Sequence, residues 1–206
     1  MRNIKTTRIL AIAMSLVAAI VLTACIGGGS SEPTRYFTLA VENISMPQAQ
    51  PTGKRAQVRK FTIDQAYQRN NIVYRESAYD FSFYDLDLWA SRPEYMVMQV
   101  AGQYLEKSGL FATVETKASA KPDFELLGHI EAIEEVDEGS SQYARLAMQL
   151  TFRKTESETP LWQGTFDEKM SMNSREPKVT AQTVSKLLAQ FMEKALEGIS
   201  QSSLSN

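Results

Sequence analysis

The sequence predicts a single layered α/β domain: a mixed, largely antiparallel sheet covered by two long helices. Three observations point that way. Two segments, 93–108 and 180–199, repeat their apolar residues with the 3.6-residue period of an amphipathic helix. Between them, three segments around Phe124, Ala144 and Trp162 alternate apolar and polar residues, as strands with one covered face do. Short runs rich in aromatic and β-branched residues precede the first helix, so strands stand on both sides of it in the chain.

Composition narrows the class. The 206 residues, 43% apolar and 22% charged, suffice for one domain with a hydrophobic core and exclude wholesale disorder or a collagen-like repeat. The charge is near balance, with 22 basic and 24 acidic residues and a net −2, and no basic block marks nucleic acid as a partner. One cysteine closes no internal disulfide, and with a single histidine it builds no Cys/His zinc site. No metal or cofactor is therefore expected.

The first 25 residues differ from the rest. Arg2, Lys5 and Arg8 give a basic start, and the 14 residues Ile9–Leu22 are apolar or small except for Ser15. A membrane-spanning helix needs about 20 apolar residues, so this run reads as a secretory signal peptide, residues 1–24. Its end, Leu22-Thr23-Ala24-Cys25, resembles the bacterial lipobox. The resemblance implies that Cys25 becomes the mature N-terminus, with diacylglycerol on its sulfur and an acyl chain on its amine. Two or more acyl chains anchor firmly where one is marginal. Many Gram-negative lipoproteins kept in the inner membrane carry aspartate after the cysteine; Ile26 stands there instead, which favours the outer membrane. Loss of residues 1–24 removes three basic residues and no acidic one, so the remaining 182 residues carry 19 basic and 24 acidic side chains, near −5.

Residues 25–34 then form the acylated cysteine and a Gly/Ser-rich tether; Gly27 to Gly29 lack the spacing of a phosphate loop. The folded domain is expected over 35–200. Arg35–Val41 reads as a strand, 45–57 as a loop with Pro47, Pro51 and Gly53, and Val58–Ile63 as a second strand. Ile72–Glu76 and Tyr79–Leu86 read as two short strands. Pro93 suits the first turn of a helix running to Ser108, with Val97, Val100, Ala101, Tyr104 and Leu105 on one face and Gly109 as its stop. Strand Phe124–Val136 turns Phe124, Leu126, Ile130, Ala132 and Val136 to one side. Strand Ala144–Phe152 does the same with Ala144, Leu146, Met148, Leu150 and Phe152, opposite Arg145, Gln149 and Arg153. Trp162, Phe166 and Met170 mark the third. The last helix, 180–199, carries a continuous apolar stripe from Val184 to Ile199, and 201–206 reads as a polar tail.

Catalytic signatures are sparse. His129 shares a strand face with Glu125 and Glu131, on a sheet surface, and no Gly-x-Ser-x-Gly elbow accompanies it. Asp85 and Asp87 form a lone Asp-x-Asp without further acidic ligands at calcium-loop spacing. Glu134, Glu135, Asp137 and Glu138 read as a charged strand end. The unusual stretch is Tyr74–Tyr95, where seven of 22 residues are aromatic against 9% in the whole chain. Alternation assigns Tyr79, Phe81 and Phe83 to the core and leaves Tyr84 and Trp89 as candidates for a partner interface.

In this stretch the chain resembles a known family. Ile72-Val73-Tyr74-Arg75, Tyr79 to Tyr84, Trp89-Ala90 and Pro93, followed by the helix ending Ser108-Gly109-Leu110-Phe111, are similar to the ABC-type transport auxiliary lipoprotein family. The resemblance spans nearly all of the mature chain. It implies a non-enzymatic outer-membrane lipoprotein that docks or completes a conduit built from mammalian-cell-entry (MCE) domain proteins. That conduit would move lipids or other hydrophobic molecules, driven by a separate ATPase, and a homo-oligomeric ring is compatible with the family. It transfers no catalytic residue; Cys25 is the one position fixed by chemistry. A structural lipoprotein assisting assembly of an outer-membrane β-barrel is the alternative, and a lipid-modifying hydrolase a third class disfavoured by the missing nucleophile.

Overall fold

The computed structural model describes residues 32–46, 51–117 and 121–203. The signal segment, the lipobox residues Leu22, Thr23, Ala24 and Cys25, and the tether through residue 31 lie outside the described residues. In chain order the elements are β1 (Arg35–Phe37), β2 (Arg55–Val58), β3 (Thr62–Ile63), a 3-10 turn (Gln65–Tyr67), β4 (Asn71–Arg75) and β5 (Ser82–Trp89). There follow α1 (Pro93–Lys107), β6 (Thr113–Glu115), β7 (Phe124–Glu138), β8 (Ser141–Lys154), β9 (Pro160–Met172) and α2 (Pro177–Ser203).

The sheet is built around β7. One of its edges pairs antiparallel with β8 along its whole length, through the two-residue turn Gly139-Ser140. Gly139 has φ +65°, the conformation a type II′ hairpin requires at its first turn position. The other edge is shared by three short parallel strands in series: β2 beside Phe124–Leu126, β3 beside His129–Ile130, and β4 beside Glu135–Val136. Beyond them β6 adds to β2, β5 to β4 and β1 to β5, while β9 adds to β8. The sheet is thus mixed, with its long ladders antiparallel, as the alternating segments predict.

Both helices pack against each other and on one face of this sheet, α1 over β2, β3, β6 and β7, α2 over β7, β8 and β9. The predicted stripes are the buried ones: Val97, Tyr104 and Leu105 of α1 and Val184, Leu187, Phe191, Leu196 and Ile199 of α2. Leu146, Met148, Leu150 and Phe152 of β8 meet them from below and are fully buried, each contributing about 1.5–3 kcal/mol. The helix α1 stops at Gly109, whose φ of +67° is the left-handed stop expected there. The helix α2 starts earlier than its apolar stripe, at Pro177, a residue suited to a first turn, and runs through Ser203 into the predicted tail.

Four expectations need correction, each for a physical reason. The first strand ends at Phe37, not Val41, because the chain leaves the sheet to cross the helices. There the Ser185 hydroxyl accepts from the Ala40 amide (3.1 Å), and the Tyr104 hydroxyl accepts from the Glu42 amide (2.7 Å). Val58–Ile63 is broken into β2 and β3, since the two segments pair with successive stretches of β7. Within β7 one extra residue, Glu131, stands between the pairs Ile130–Met148 and Ala132–Ala147. This bulge reverses inward and outward for the rest of the strand, so Val136 faces away from the helices. A larger irregularity sits in β5, where four residues, 84 to 87, oppose Ile72 alone.

The β5 irregularity overturns the aromatic assignment. Trp89 is 1% exposed and belongs to the core, and Tyr84 is half-buried on the helix side of the sheet; neither forms an exposed interface. Tyr79 (98%) and Phe83 (42%), expected inside, are exposed instead. Three extra residues are an odd number, so parity read straight through the strand inverts.

Close packing makes one substitution diagnostic. A Cβ on Gly128 of β7 would lie 2.5–2.7 Å from the ring of buried Phe61. Gly128→Ala is expected to destabilise the domain by about 1–3 kcal/mol in urea denaturation, despite a strand's usual gain from replacing glycine. Combining it with Phe61→Leu is expected to recover part of that loss.

Candidate functional site

The face of the sheet turned away from the helices carries the polar constellation. Its anchor is Glu134, fully buried on β7. The Arg75 Nε donates to its Oε2 at 2.6 Å, the Tyr67 hydroxyl to the same oxygen at 2.6 Å, and the Arg145 Nη1 to its Oε1 at 2.9 Å. Arg145 grips Asp167 of β9 with two further bonds of 2.8 Å. Each partner comes from a different element, so β4, the 3-10 turn and β8 converge on one carboxylate, and β9 is joined to it through Arg145. Asp167 is held below the usual carboxylate range by the Arg145 guanidinium, and Arg145 is pushed up by the same bonds. Burial beside the Glu134 carboxylate pushes the Tyr67 phenol up to about 12. Arg75, Glu134, Arg145 and Asp167 floor an open cleft of about 750 Å³ that Ser77, Val136 and Lys169 also line.

The next residue, Glu135, points through the sheet to the helix side, where it is also fully buried. Among the described residues no guanidinium hydrogen-bonds to it, and Arg175 acts on it only through its charge; Thr180, in the first turn of α2, donates to Oε2 at 2.9 Å and Tyr84 donates to Oε1 at 3.3 Å. Burial raises its carboxyl above the ordinary value, against the Thr180 bond and with the help of nearby Asp137. The Tyr84 phenol is raised in turn by burial and by the Glu135 charge. The four acidic residues expected as a charged strand end are therefore largely interior: Glu134, Glu135 and Asp137 are buried, and Glu138 alone is exposed.

His129 lies on the helix-free face as expected. The strand β3 brings it partners that the sequence did not reveal. Its Nε2 is 3.0 Å from Asp64 Oδ1, and since a carboxylate only accepts, Nε2 donates. In the neutral imidazole Nδ1 then accepts from the Thr62 hydroxyl at 2.8 Å. The row of hydroxyl, imidazole and carboxylate is exposed, Asp64 by 54% and His129 by 40%, and ties β3 to β7 across the surface. Of the Asp-x-Asp pair, Asp85 is exposed, but Asp87 is buried and held by Arg35 through bonds of 2.6 and 3.0 Å. Among the described residues no group of three or more acidic, cysteine or histidine side chains could hold a metal ion.

At the β1–β5 end the same face turns aromatic and aliphatic. Register places Tyr36 beside Leu88, Leu88 across from Asn71, and Phe83 across from Val73. Tyr36 (64%) and Phe83 (42%) stand out to solvent on it, Leu86 (38%) is exposed in the irregular stretch of β5 between them, and the half-buried Arg69 lays its guanidinium 4.7 Å from the Phe83 ring centroid. Among the described residues no helix is long and apolar enough to cross a membrane.

A model of the family described as the ABC-type transport auxiliary lipoprotein component matches residues 37–195. No curated protein matches the sequence. Among solved structures the chain is similar to protein XCC0632 from Xanthomonas campestris, with a TM-score of 0.74 at 16% identity over 83% of this chain and 97% of that one. An uncharacterized protein gives 0.60 at 12% identity over 82% and 98% of the two chains. The hypothetical protein CT253 from Chlamydia trachomatis gives 0.51 at 8% identity over 74% and 99%. At such identities the structural likeness carries the fold, a mixed sheet with two helices, and nothing finer.

Two adjacent buried carboxylates should respond oppositely to substitution. Glu134→Ala strands Arg75 and the Tyr67 hydroxyl and is expected to cost about 3 kcal/mol. Glu135→Gln keeps an amide that can bond both hydroxyls and removes a charge whose burial is unfavourable. Because the native pKa of Glu135 is raised, the wild type loses stability as pH climbs from the ordinary carboxyl value of about 4.3 through the native one. The Glu135→Gln urea midpoint should exceed that of the wild type at neutral pH, and the advantage should shrink on acidification; an advantage that grew in acid would contradict the assignment.

Proposed function

The chain belongs to the ABC-type transport auxiliary lipoprotein family, and from that premise we propose that it is a non-catalytic docking or conduit component, acylated at Cys25 and held on the periplasmic face of the outer membrane. Membership itself makes it an auxiliary component of an ABC-type transport system, attached to a membrane of the cell envelope. The proposed partner is an MCE-domain protein of that system, and the proposed cargo is lipid or another hydrophobic molecule. Energy is then supplied by a separate ATPase.

The family match over 37–195 is the observation that carries this reading. Two features support its finer parts. Leu22-Thr23-Ala24-Cys25 ends a short basic-apolar leader, which suits acylation of that sulfur, and Ile26 in place of aspartate suits transfer to the outer membrane. On the domain, the shifted groups are hydrogen-bonded to one another: Asp167 to Arg145, Tyr67 to Glu134, and Tyr84 to Glu135. Perturbed groups so fully satisfied hold strands together and are not poised for proton transfer. The exposed His129 row sits on a sheet surface where His129→Ala should leave transport intact.

Membrane fractionation tests the anchor. Cys25→Ala is expected to move the protein out of the acyl-anchored fraction and to abolish transport, while circular dichroism and the urea midpoint of the domain stay unchanged. A Cys25→Ala protein still carrying acyl chains by mass spectrometry would refute the lipobox assignment. Crosslinking in intact cells should recover an MCE-domain protein; repeated recovery of an outer-membrane β-barrel alone would instead favour a role in barrel assembly.

A further inference from the structure

We propose that the β1–β5 edge of the helix-free face rests on the lipid headgroup layer of the membrane that holds Cys25. The inference rests on the acylation of Cys25 proposed above and adds to it a surface. Five large apolar side chains are exposed among the described residues: Tyr36, Tyr79, Phe83, Leu86 and Tyr95. Exposed apolar residues scattered singly need no explanation, but here they cluster. Tyr36 and Phe83 share one face by strand register, Leu86 lies between Phe83 and the Tyr36 partner Leu88 on β5, and Tyr79, almost fully exposed, stands in the β4–β5 connection.

The position of the tether selects the occupant. Arg35 lies ten residue steps beyond Cys25, a reach of at most about 36 Å even when fully extended. The chain enters the domain at Arg35, which two hydrogen bonds pin to the buried carboxylate of Asp87 on β5. The next residue is Tyr36, the most exposed apolar side chain of the sheet. An acyl anchor at the other end of so short a tether holds this edge near the bilayer, and the cluster begins where the tether joins.

The side chains fit that environment. Tyrosine carries an apolar ring and a polar tip suited to the membrane–water boundary, and Phe83 and Leu86 supply apolar area. The Arg69 guanidinium lies over the Phe83 and Phe81 rings at 4.7 and 5.6 Å, which sets a positive charge beside the apolar patch where it can meet a headgroup phosphate. Exposed Asp85 on the same strand makes the charge mixed, which suits a layer rich in zwitterionic headgroups better than a uniformly anionic one.

The test uses the full acylated protein in vesicles of phosphatidylethanolamine with phosphatidylglycerol. Phe83→Cys, Leu86→Cys and, as a control on the exposed side of α2, Gln190→Cys are each labelled with a nitrobenzoxadiazole fluorophore. An acylated Cys25 has no thiol, so the wild type should take no label. The labels at positions 83 and 86 should lie within about 5–10 Å of the headgroup–acyl boundary. They should emit to the blue and lose most of their emission to brominated lipid, while position 190 reads as aqueous. Vesicle-bound protein whose labels at 83 and 86 match position 190 would overturn the membrane face and leave the anchor standing. A wild type that takes the label and stays out of the vesicles would overturn the acylation and this inference together.

Discussion

A strand of 15 residues has two long edges of backbone donors and acceptors, and burying it requires partners along both. The strand β7 meets that requirement asymmetrically, and most of the architecture follows from how. One edge is closed by a single continuous partner, β8, folded back through Gly139-Ser140. The other is closed by three fragments laid end to end, β2, β3 and β4, all parallel to it. Fragments in series need interruptions between them, and the interruptions are put to use. The break after β2 carries Phe61 onto Gly128, and the 3-10 turn after β3 delivers Tyr67 to Glu134. The pieces that complete the ladder therefore also supply side chains to both faces.

The bulge at Glu131 decides what those faces contain. By shifting parity it sends Glu134 to the open face and Glu135 to the helix side, each fully buried. The two surfaces handle a buried carboxylate differently. On the open face Glu134 draws two guanidiniums from β4 and β8, both partly hydrated, so its charge is matched directly. On the helix side Glu135 receives hydroxyls from Thr180 and Tyr84, close to the start of α2, where the helix dipole favours negative charge. Dipoles compensate desolvation less well than ions do, which is why the Glu135 carboxyl is raised. Sequence neighbours thus differ in electrostatic fate because one residue was inserted upstream.

Legibility from sequence divides along the same line. The helices declared themselves because a period of 3.6 survives over fifteen or more residues, and the stripes of α1 and α2 are buried as read. The alternation that marks β7 and β8 as antiparallel strands was legible too, but not the register that sets Arg145 opposite Glu134 and, on the far side of the bulge, Arg153 opposite Glu125. What failed was parity carried across a bulge. Nothing local in Ile-Glu-Ala announces the extra residue at Glu131, and the same blindness at 84 to 87 exchanged Trp89 for Phe83. The short strand β6 escaped notice because three residues hold no period. The buried acidic cluster was missed because a run of carboxylates reads as solvated unless its cross-strand partners are known.

Two outer edges of the sheet, at β1 and at β9, give the molecule a polarity. From β1 through β5, β4, β7 and β8 to β9 there are five strand spacings, about 24 Å at 4.8 Å each. An exposed edge invites pairing with another chain, and the two ends avoid it by different means. The edge at β1 is only three residues long before the chain turns away over the helices, and it is flanked by Tyr36 and Leu86. The edge at β9 runs thirteen residues but carries Asp167, Glu168 and Lys169 in succession, charges that oppose strand addition. The helix face between them is closed by α1, α2 and the segment that crosses them at Ala40 and Glu42. If the tethered β1 end is the membrane-proximal one, the charged β9 end stands away from that membrane. A partner arriving from across the envelope then meets a polar, ion-paired surface, and complementarity of charge and not apolar burial would set its affinity.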